Sequence, residues 1–202
     1  MEYVWLAVLW TVWCLLHSVL ASLRAGSFVQ SHFPGKSRYY RLAYNMIAVV
    51  TLIPVLAYSF SISGPVFLQW QGAWVVLQIA MIGGGLLLFL APMKHYDMSR
   101  FMGWRQISDG DMHHSLSKDD KLDTTGILGC IRHPWYTGAI LLIWARDLDM
   151  AALLVNVIVT AYFLIGARLE ERKLVLEMGD EYQRYQQRVG MFIPRGCWKR
   201  RE

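Results

Sequence analysis

The chain contains long runs of residues without a formal charge, and these runs limit its possible folds more than any other feature. The first extends from Tyr3 to Leu23, which is 21 residues without Asp, Glu, Lys or Arg. A helix of about 20 apolar residues crosses the roughly 30 Å of hydrocarbon in a bilayer. The sequence therefore predicts a membrane protein. It excludes a disordered chain, a collagen-like fibre and a disulfide-stapled secreted module.

The overall composition supports the same conclusion. Of the 202 residues, 55% are hydrophobic and 17% are charged, whereas soluble domains carry about a quarter charged residues. The first apolar run has no basic segment before it and is longer than the apolar core of a signal peptide, so we expect a retained span. The size favours a single domain over residues 1–202.

Five charge-free segments predict an all-α integral membrane bundle of five transmembrane helices. The spans are expected at about 3–23, 44–60, 74–93, 134–145 and 150–167. The fourth is too short to cross alone, because 12 residues extend only about 18 Å at 1.5 Å per residue. We therefore expect the last two spans to form a tight helical hairpin. A polar loop over 94–132 and a polar tail over 168–202 complete the chain.

The basic residues predict the orientation of this bundle. Nineteen of the 20 Lys and Arg residues lie in the segments that five crossings place on one side, and Arg146 alone lies on the other. By the positive-inside rule the N-terminus is outside, and the polar loop and the C-terminus are cytoplasmic. The net charge of +5 is thus explained by topology, and we expect no nucleic-acid partner.

Neither the cysteines nor the polar loop predicts a metal site. The three cysteines form no CxxC pair and are too few for a disulfide or metal framework: Cys14, Cys130 and Cys197. They fit a reducing or lipid environment. Four residues of the loop could ligate a metal but have no recognised spacing: Asp109, Asp111, His113 and His114. A solvated loop is the simpler interpretation, so we predict no metal.

The densest group of chemistry-bearing residues lies where the polar loop re-enters the membrane. This R-H-P-W-Y box consists of Arg132, His133, Pro134, Trp135 and Tyr136. Two carboxylates, Glu170 and Glu171, follow at the cytoplasmic end of the last span, and a hairpin would bring them to the box. Separately, the basic residues are also typical of interfacial anchors, and a Glu one turn from an Arg is an ordinary pair on a helix surface.

In combination, these motifs resemble one family. A box of this kind, then a Glu pair, then Gly179, Tyr182 and Tyr185 resembles the integral-membrane S-adenosylmethionine (SAM)-dependent methyltransferases. That family includes isoprenylcysteine carboxyl and phospholipid methyltransferases. Further segments are similar to its NnrU-type and methanethiol S-methyltransferase-like branch: Leu16-His17-Ser18, Arg38-Tyr39-Tyr40-Arg41-Leu42, His95-Tyr96-Asp97, Gly103-Trp104-Arg105-Gln106 and Val189-Gly190-Met191-Phe192-Ile193-Pro194.

The resemblance implies methyl transfer from SAM, bound in a cytoplasmic pocket, to a small thiol or a lipophilic acceptor, with S-adenosylhomocysteine as the product. By chemistry, Glu170 suits the ammonium of SAM, and His133 or Lys121 suits its carboxylate. The full set of cofactor-binding residues implied is Gln106, Lys121, Leu122, Leu128, His133, Pro134, Trp135, Tyr136 and Glu170. His17, a lone ionisable residue in a span, and Arg105 are the candidate catalytic residues.

Several alternatives remain open at this stage. The acceptor could be a prenylated cysteine or a lipid, although Gly166 stands where the isoprenylcysteine branch has an arginine that contacts substrate. The NnrU resemblance also allows a non-catalytic membrane protein of nitrogen-oxide metabolism, and His17 allows a haem-binding electron carrier. His95 and Asp97 are expected either to line the substrate side or to order the loop. The resemblance to bacterial members implies the inner membrane of a bacterium.

Overall fold

The computed structural model describes residues 1–62, 64–109, 122–195 and 197. Within them the regular structure is helical, and the extended pairings are two isolated bridges, Leu68–Leu148 and Ile131–Gly190. Nine α-helices are described: α1 Glu2–Ala21, α2 Leu23–His32, α3 Tyr40–Ser61, α4 Trp74–Leu90, α5 Met98–Met102, α6 Trp104–Asp109, α7 Pro134–Trp144, α8 Met150–Met178 and α9 Asp180–Arg188. Short 3₁₀ helices cover Pro34–Tyr39, Ala91–Lys94 and Gly126–Gly129.

The chain divides into two compact units, and α8 contributes residues to both. The first unit takes in, as far as they are described, Met1–Pro65, Asp97–Leu116 and Asp149–Ile158. The second takes in, with the same restriction, Val66–Tyr96, Ser117–Leu148 and Val159–Glu202. The R-H-P-W-Y box and both carboxylates of the Glu pair belong to the second unit.

In the first unit, polar atoms of aromatic side chains connect α1 to α3. The indole N–H of Trp10 donates to the Ser59 hydroxyl at 2.9 Å. The hydroxyl of Tyr40 donates to the carbonyl oxygen of Leu20 at 2.6 Å. These bonds satisfy the polar ends of side chains that lie among apolar neighbours, where an unpaired donor would be costly. Helix α3 continues through Pro54 without a break.

The surfaces of the long helices are apolar, as expected of helices that face lipid. Val12, Val19, Val50 and Ile53 are each more than half exposed. Such a surface cannot be stable against water but matches hydrocarbon. Four helices are long and apolar enough to cross a membrane: Glu2–Ala21, Pro34–Ser61, Trp74–Lys94 and Met150–Met178. These four confirm the all-helical membrane class.

The fourth predicted span does not reach that length. Helix α7 has 11 residues, from Pro134 to Trp144, or about 16 Å at 1.5 Å per residue. Its side chains contact the later part of α8 in antiparallel order: the Trp144 indole N–H donates to the Thr160 hydroxyl at 3.0 Å, and Tyr136 stacks on Phe163 at 5.2 Å. The helix thus relies on its neighbours in the second unit.

Helices α4 and α7 approach each other at two glycines. A Cβ atom added at Gly138 would lie 2.8 Å from the Gly85 carbonyl oxygen, and one at Gly85 would lie 2.8 Å from Leu142 Cγ. Small residues allow such close helix packing in membranes. The sequence Gly83-Gly84-Gly85 is too deep in a helix for a nucleotide-binding loop and predicts a packing role, which Gly85 confirms. Gly83 has no neighbour within 4 Å of an added Cβ.

A disulfide joins Cys130 to Cys197, whose Cα atoms lie 4.1 Å apart although 67 positions separate them in sequence. Only Cys14 is free among the cysteines. The expectation that the cysteines are too few for a disulfide framework and fit a reducing environment did not foresee this bond. The reason is a long-range contact: the bridge between Ile131 and Gly190 returns the C-terminal segment to the residue next to Cys130.

The glycine contact predicts the effect of a pair of matched substitutions. Gly138→Ala should lower the free energy of unfolding by about 1–3 kcal/mol, because its methyl group cannot fit beside the backbone of α4 without a shift. Gly83→Ala adds the same methyl group in open space on α4 and should leave stability equal or slightly higher. Thermal unfolding in detergent measures both. Equal melting temperatures for the two variants would contradict the packing role.

Candidate active site

The C-terminal segment after α9 fixes the backbone of the R-H-P-W-Y box. The N–H of Arg132 donates to the carbonyl oxygen of Gly190 at 3.0 Å. The N–H of His133 donates to the carbonyl oxygen of Met191 at 3.1 Å. Pro134 then begins α7 at the first helical position, where the N–H that proline lacks would have had no partner in the helix. The box therefore starts from a paired, extended backbone.

A buried ion pair connects the box to α8. Arg132 Nε lies 2.6 Å from Glu171 Oε1, and their side chains are 8% and 7% exposed. The Arg132 guanidinium also donates to the carbonyl oxygens of Gln186, at 2.9 Å, and Val189. The side-chain amide of Gln186 donates to the other oxygen of Glu171 at 2.9 Å. Both charges are thus compensated within the protein, which a buried pair requires.

The second carboxylate of the Glu pair has a different environment. The hydroxyl of Tyr136 donates to Glu170 Oε2 at 3.0 Å, and His133 Nδ1 lies 3.7 Å from the same oxygen. The other ring nitrogen, Nε2, lies 3.2 Å from Glu171 Oε1. The rings of His133 and Tyr136 stack at 5.3 Å. Glu170 remains 44% exposed, so it is held in place and still accessible.

The two tyrosines after the Glu pair form a hydrophobic cluster. Tyr182 and Tyr185 are 2% and 3% exposed and pack with Val189. The Tyr185 hydroxyl donates to the carbonyl oxygen of Leu128. Burial, followed by the charge of Glu171, raises the pKa of Tyr182. Partly buried residues packed on this cluster are Leu122, Leu174, Val175 and Met178. The tyrosines thus hold the 3₁₀ turn Gly126–Gly129 against α9.

The predicted cofactor residues of the second unit gather around the box. His133, Tyr136 and Glu170 touch one another, as described above. The ring of Trp135 contacts that of Tyr96 at an angle of 33°, with centroids 4.7 Å apart. Leu122 packs on the tyrosine cluster. Leu128 is 4% exposed, and its carbonyl oxygen accepts the Tyr185 hydroxyl. Their contact with a cofactor stays a prediction, and Lys121 lies outside the described residues.

Other predicted site residues lie in the first unit. The amide nitrogen of Gln106 donates to the carbonyl oxygen of Arg100 at 3.0 Å, and its side chain is buried. Arg105 pairs with Asp97 and lies 3.3 Å from Asp109. His17 lies with its ring between those of Trp13 and Tyr44, at centroid distances of 5.5 and 6.5 Å. Of the four loop residues with metal-ligand chemistry, Asp111, His113 and His114 lie outside the described residues.

His95 and Asp97 have different partners, and the contacts of Asp97 order the chain around α5. Asp97 caps α5, because its Oδ1 accepts the N–H groups of Ser99 and Arg100 at 3.0 and 3.1 Å. His95 Nδ1 instead lies 2.7 Å from Asp123 Oδ2. Both partners of this pair belong to the second unit. The partner of His95 is thus 28 positions away in sequence, close to the 3₁₀ turn Gly126–Gly129.

Sequence reasoning also missed Phe163 and Gln186, which contact Tyr136 and Glu171. The seven-residue spacing from Phe163 to Glu170 puts both on one helix face, and this periodicity could have indicated Phe163. Gln186 lies in a run of polar residues, Asp180–Arg188, where nothing in the pattern distinguishes a buried amide from an exposed one.

The sequence is similar to those of named methyltransferases. It is 31% identical over 126 residues to a methanethiol S-methyltransferase of a Pseudomonas species, 28% identical over 192 residues to that of Pseudomonas deceptionensis, and 34% identical over 84 residues to the protein-S-isoprenylcysteine O-methyltransferase of Schizosaccharomyces pombe. These matches cover 61%, 91% and 39% of this chain. No family model and no solved structure matches the chain.

The matches cover the relatives unequally. The chain spans 47% of the first Pseudomonas enzyme, 70% of the Pseudomonas deceptionensis enzyme and 35% of the yeast enzyme, so it covers about half of the first relative. The identities support the family resemblance that the box, the Glu pair and the tyrosines indicate. The chain is thus a relative of the methanethiol S-methyltransferases and of a protein-S-isoprenylcysteine O-methyltransferase.

Proposed function

We propose that the chain is a membrane-embedded, SAM-dependent methyltransferase that acts on a small thiol. The observation that carries this proposal is the accessible carboxylate of Glu170. It is fixed by Tyr136 and His133 beside a second carboxylate that is fully compensated. A protein that needed only a structural ion pair would require Glu171 and not Glu170. The relatives with methyltransferase names support the same reaction class.

The residues around Glu170 fit the chemistry of SAM. SAM supplies a methyl group on a sulfonium centre, and it also carries an ammonium, a carboxylate, a ribose and an adenine. A half-exposed carboxylate is a suitable acceptor for the ammonium. His133 faces carboxylate oxygens at 3.2 and 3.7 Å through its two nitrogens, so we assign it to orienting Glu170. Lys121 then remains the proposed partner of the SAM carboxylate.

The remaining cofactor contacts are proposals from the resemblance. The rings of Trp135 and Tyr136 offer flat apolar faces, and Pro134 fixes the direction in which they leave the box. Leu122 and Leu128 are proposed to border the adenosine, and Gln106 to add a polar contact. Methyl transfer is an in-line displacement, so the protein contributes mainly by positioning the reactants and excluding water.

The acceptor is proposed to be a small thiol because the best-covered relatives are named methanethiol S-methyltransferases. The yeast relative is named for a prenylated cysteine, which supports a lipophilic acceptor as the second candidate. Both would reach the site from the bilayer or its surface. His17 and Arg105 stay proposed catalytic residues on the acceptor side.

For the membrane topology we propose five crossings, in which α7 and α8 form the last pair. Four helices have the required length, and α7 supplies the fifth crossing with help from its neighbours. The distribution of nineteen of 20 basic residues supports an external N-terminus and a cytoplasmic pocket and C-terminus. The proposed location is the inner membrane of a bacterium.

Calorimetry with S-adenosylhomocysteine tests the role of Glu170. Glu170→Gln removes the charge that binds the ammonium, so affinity should fall about 10-fold or more while the melting temperature stays unchanged. Glu177→Gln is the matched control, because Glu177 lies on the same helix and is 48% exposed. Unchanged affinity of the Glu170 variant, or absence of binding to folded wild-type protein, would contradict the proposal.

Glu171→Gln should lower the stability of the protein, whereas Glu170→Gln should not. It leaves the buried Arg132 guanidinium without its counter-charge, and we expect a loss of about 3 kcal/mol in the free energy of unfolding. Thermal unfolding in detergent measures the loss. A variant as stable as the wild type would mean that the ion pair does not hold the box to α8.

Cysteine labelling tests the topology. In a background with all three native cysteines changed to serine, Gln69→Cys should react with a membrane-impermeant maleimide on intact cells. Gln183→Cys should react only after the membrane is permeabilised. Both side chains are exposed in the structure, so burial does not protect either one. The reverse labelling pattern would invert the proposed orientation.

A further inference from the structure

Three aromatic rings from the R-H-P-W-Y box and from α8 form a short stack. The rings of His133 and Tyr136 are nearly parallel, with an interplanar angle of 11° and centroids 5.3 Å apart. The ring of Phe163, in α8, stacks on that of Tyr136 at an angle of 16° and a centroid distance of 5.2 Å. All three residues belong to the second unit. The Tyr136 ring thus joins the box to α8.

The Tyr136 side chain contacts α8 at two points. Its ring packs against Phe163, and its hydroxyl donates to Glu170 Oε2 at 3.0 Å. Phe163 and Glu170 are seven positions apart in α8, which is about two helical turns, so they lie on the same face of that helix. The ring contact and the hydrogen bond of Tyr136 therefore involve one face of α8.

The ring contacts restrict Tyr136 more than its hydrogen bond does. Glu170 is 44% exposed, so water competes for the bond between its carboxylate and the Tyr136 hydroxyl, and the bond alone fixes the tyrosine weakly. Stacked aromatic pairs gain free energy beyond the area that they bury, and this gain depends on the orientation of the rings. Phe163 and His133 therefore hold the Tyr136 ring in the orientation in which its hydroxyl meets Glu170.

Phe163 differs from His133 because its side chain has no polar atom. His133 faces the carboxylates of the Glu pair through its two nitrogens, at 3.2 and 3.7 Å, so its orientation depends on these charges as well as on the stack. Phe163 acts by packing, and within the described residues its ring contacts Tyr136 and Tyr162. The contact path from Phe163 to Glu170 therefore runs through Tyr136.

We propose that Phe163 is a positioning residue for cofactor binding that acts through Tyr136 on the carboxylate of Glu170. The inference rests on the proposed binding of the SAM ammonium by Glu170 and adds a residue to that site. Groups that are already ordered lose less conformational entropy when a ligand binds, and affinity rises accordingly. Phe163 thus contributes to cofactor affinity through the order that it imposes on Tyr136.

Replacement of Phe163 by leucine tests this role in the full-length protein in detergent. Phe163→Leu keeps an apolar side chain but removes the flat face that stacks on Tyr136. The affinity for S-adenosylhomocysteine, measured by calorimetry, should fall about 5-fold, because Tyr136 must then become ordered on binding. Phe163→Tyr keeps the ring and should bind within about 2-fold of wild type. The matched control is Phe60→Leu, which changes a 77% exposed residue of α3 and should leave the affinity unchanged.

A double-mutant cycle shows whether Phe163 acts through the Tyr136 hydroxyl. Tyr136→Phe keeps the stacked ring and removes the hydrogen bond to Glu170. In this background Phe163→Leu should cause no further loss of affinity, because no hydroxyl is left to position, and such non-additivity identifies coupled residues. An equal loss in both backgrounds would mean that Phe163 contributes by direct contact with the ligand or by general packing, and it would overturn the inference.

Thermal unfolding of the same variants separates positioning from general stability. Thr160→Val removes the hydrogen bond that Trp144 donates between α7 and α8, so it should lower the melting temperature and leave the affinity unchanged. A loss of affinity in Thr160→Val as large as that in Phe163→Leu would show that affinity only follows stability, and it would overturn the inference. If Phe163→Leu does not fold, Phe163→Met fills more of the same volume without a ring and carries the same expectation.

The Glu170→Gln variant distinguishes failure of this inference from failure of the proposed function. If Glu170→Gln weakens binding of S-adenosylhomocysteine and Phe163→Leu does not, the role of Glu170 stands and that of Phe163 is overturned. If Glu170→Gln binds as tightly as wild type, the proposed ammonium site is wrong, and the role of Phe163 is overturned with it. Folded wild-type protein that does not bind S-adenosylhomocysteine would overturn the proposed function and this inference together.

Discussion

The buried ion pair between Arg132 and Glu171 is the interaction on which the second unit depends. It joins the start of α7 to α8, and the same guanidinium reaches the carbonyl oxygens that end α9. Because an isolated charge is very costly in a low-dielectric interior, these elements must come together as a set. One consequence is that Glu170, the next residue, is presented on a rigid helix with its side chain directed to the box. The buried ion pair of Glu171 thus positions the accessible carboxylate of Glu170.

The molecule is expected to contact both lipid and water, and its apolar and ionised residues are distributed accordingly. Valine, leucine and isoleucine cover the long helices where lipid is expected, while ionised groups cluster beyond the helix ends. Close contact of α4 and α7 at Gly85 and Gly138 is consistent with this, because lipid offers no hydrophobic driving force and helices gain instead from van der Waals packing. The same apolar environment would suit an acceptor that dissolves in the bilayer.

Much of the fold could be predicted from the sequence, since charge-free runs and helix starts are local features. The boundaries of α1, α3, α4 and α8 agree closely with the predicted spans, apart from the extension of α8 to Met178. Partner choice could not be predicted in the same way. No local sequence pattern shows that Glu171 pairs with Arg132 while Glu170 does not. Nor does one show that His95 pairs with Asp123 and not with Asp97. Such choices depend on tertiary contacts between residues far apart in the chain.

The pairing of the box with Gly190 and Met191 has a consequence for biosynthesis. A ribosome makes α7 before it makes the segment whose carbonyl oxygens accept those hydrogen bonds, so the box stays without its backbone partners until that segment has been made. The Arg132 guanidinium likewise has no carbonyl partners until the end of α9 has been made. Incomplete chains can thus enter the bilayer and pack α4 against α7 while the site is unformed. Ordering of the box therefore follows synthesis of that segment and is separate from the packing of α4 against α7.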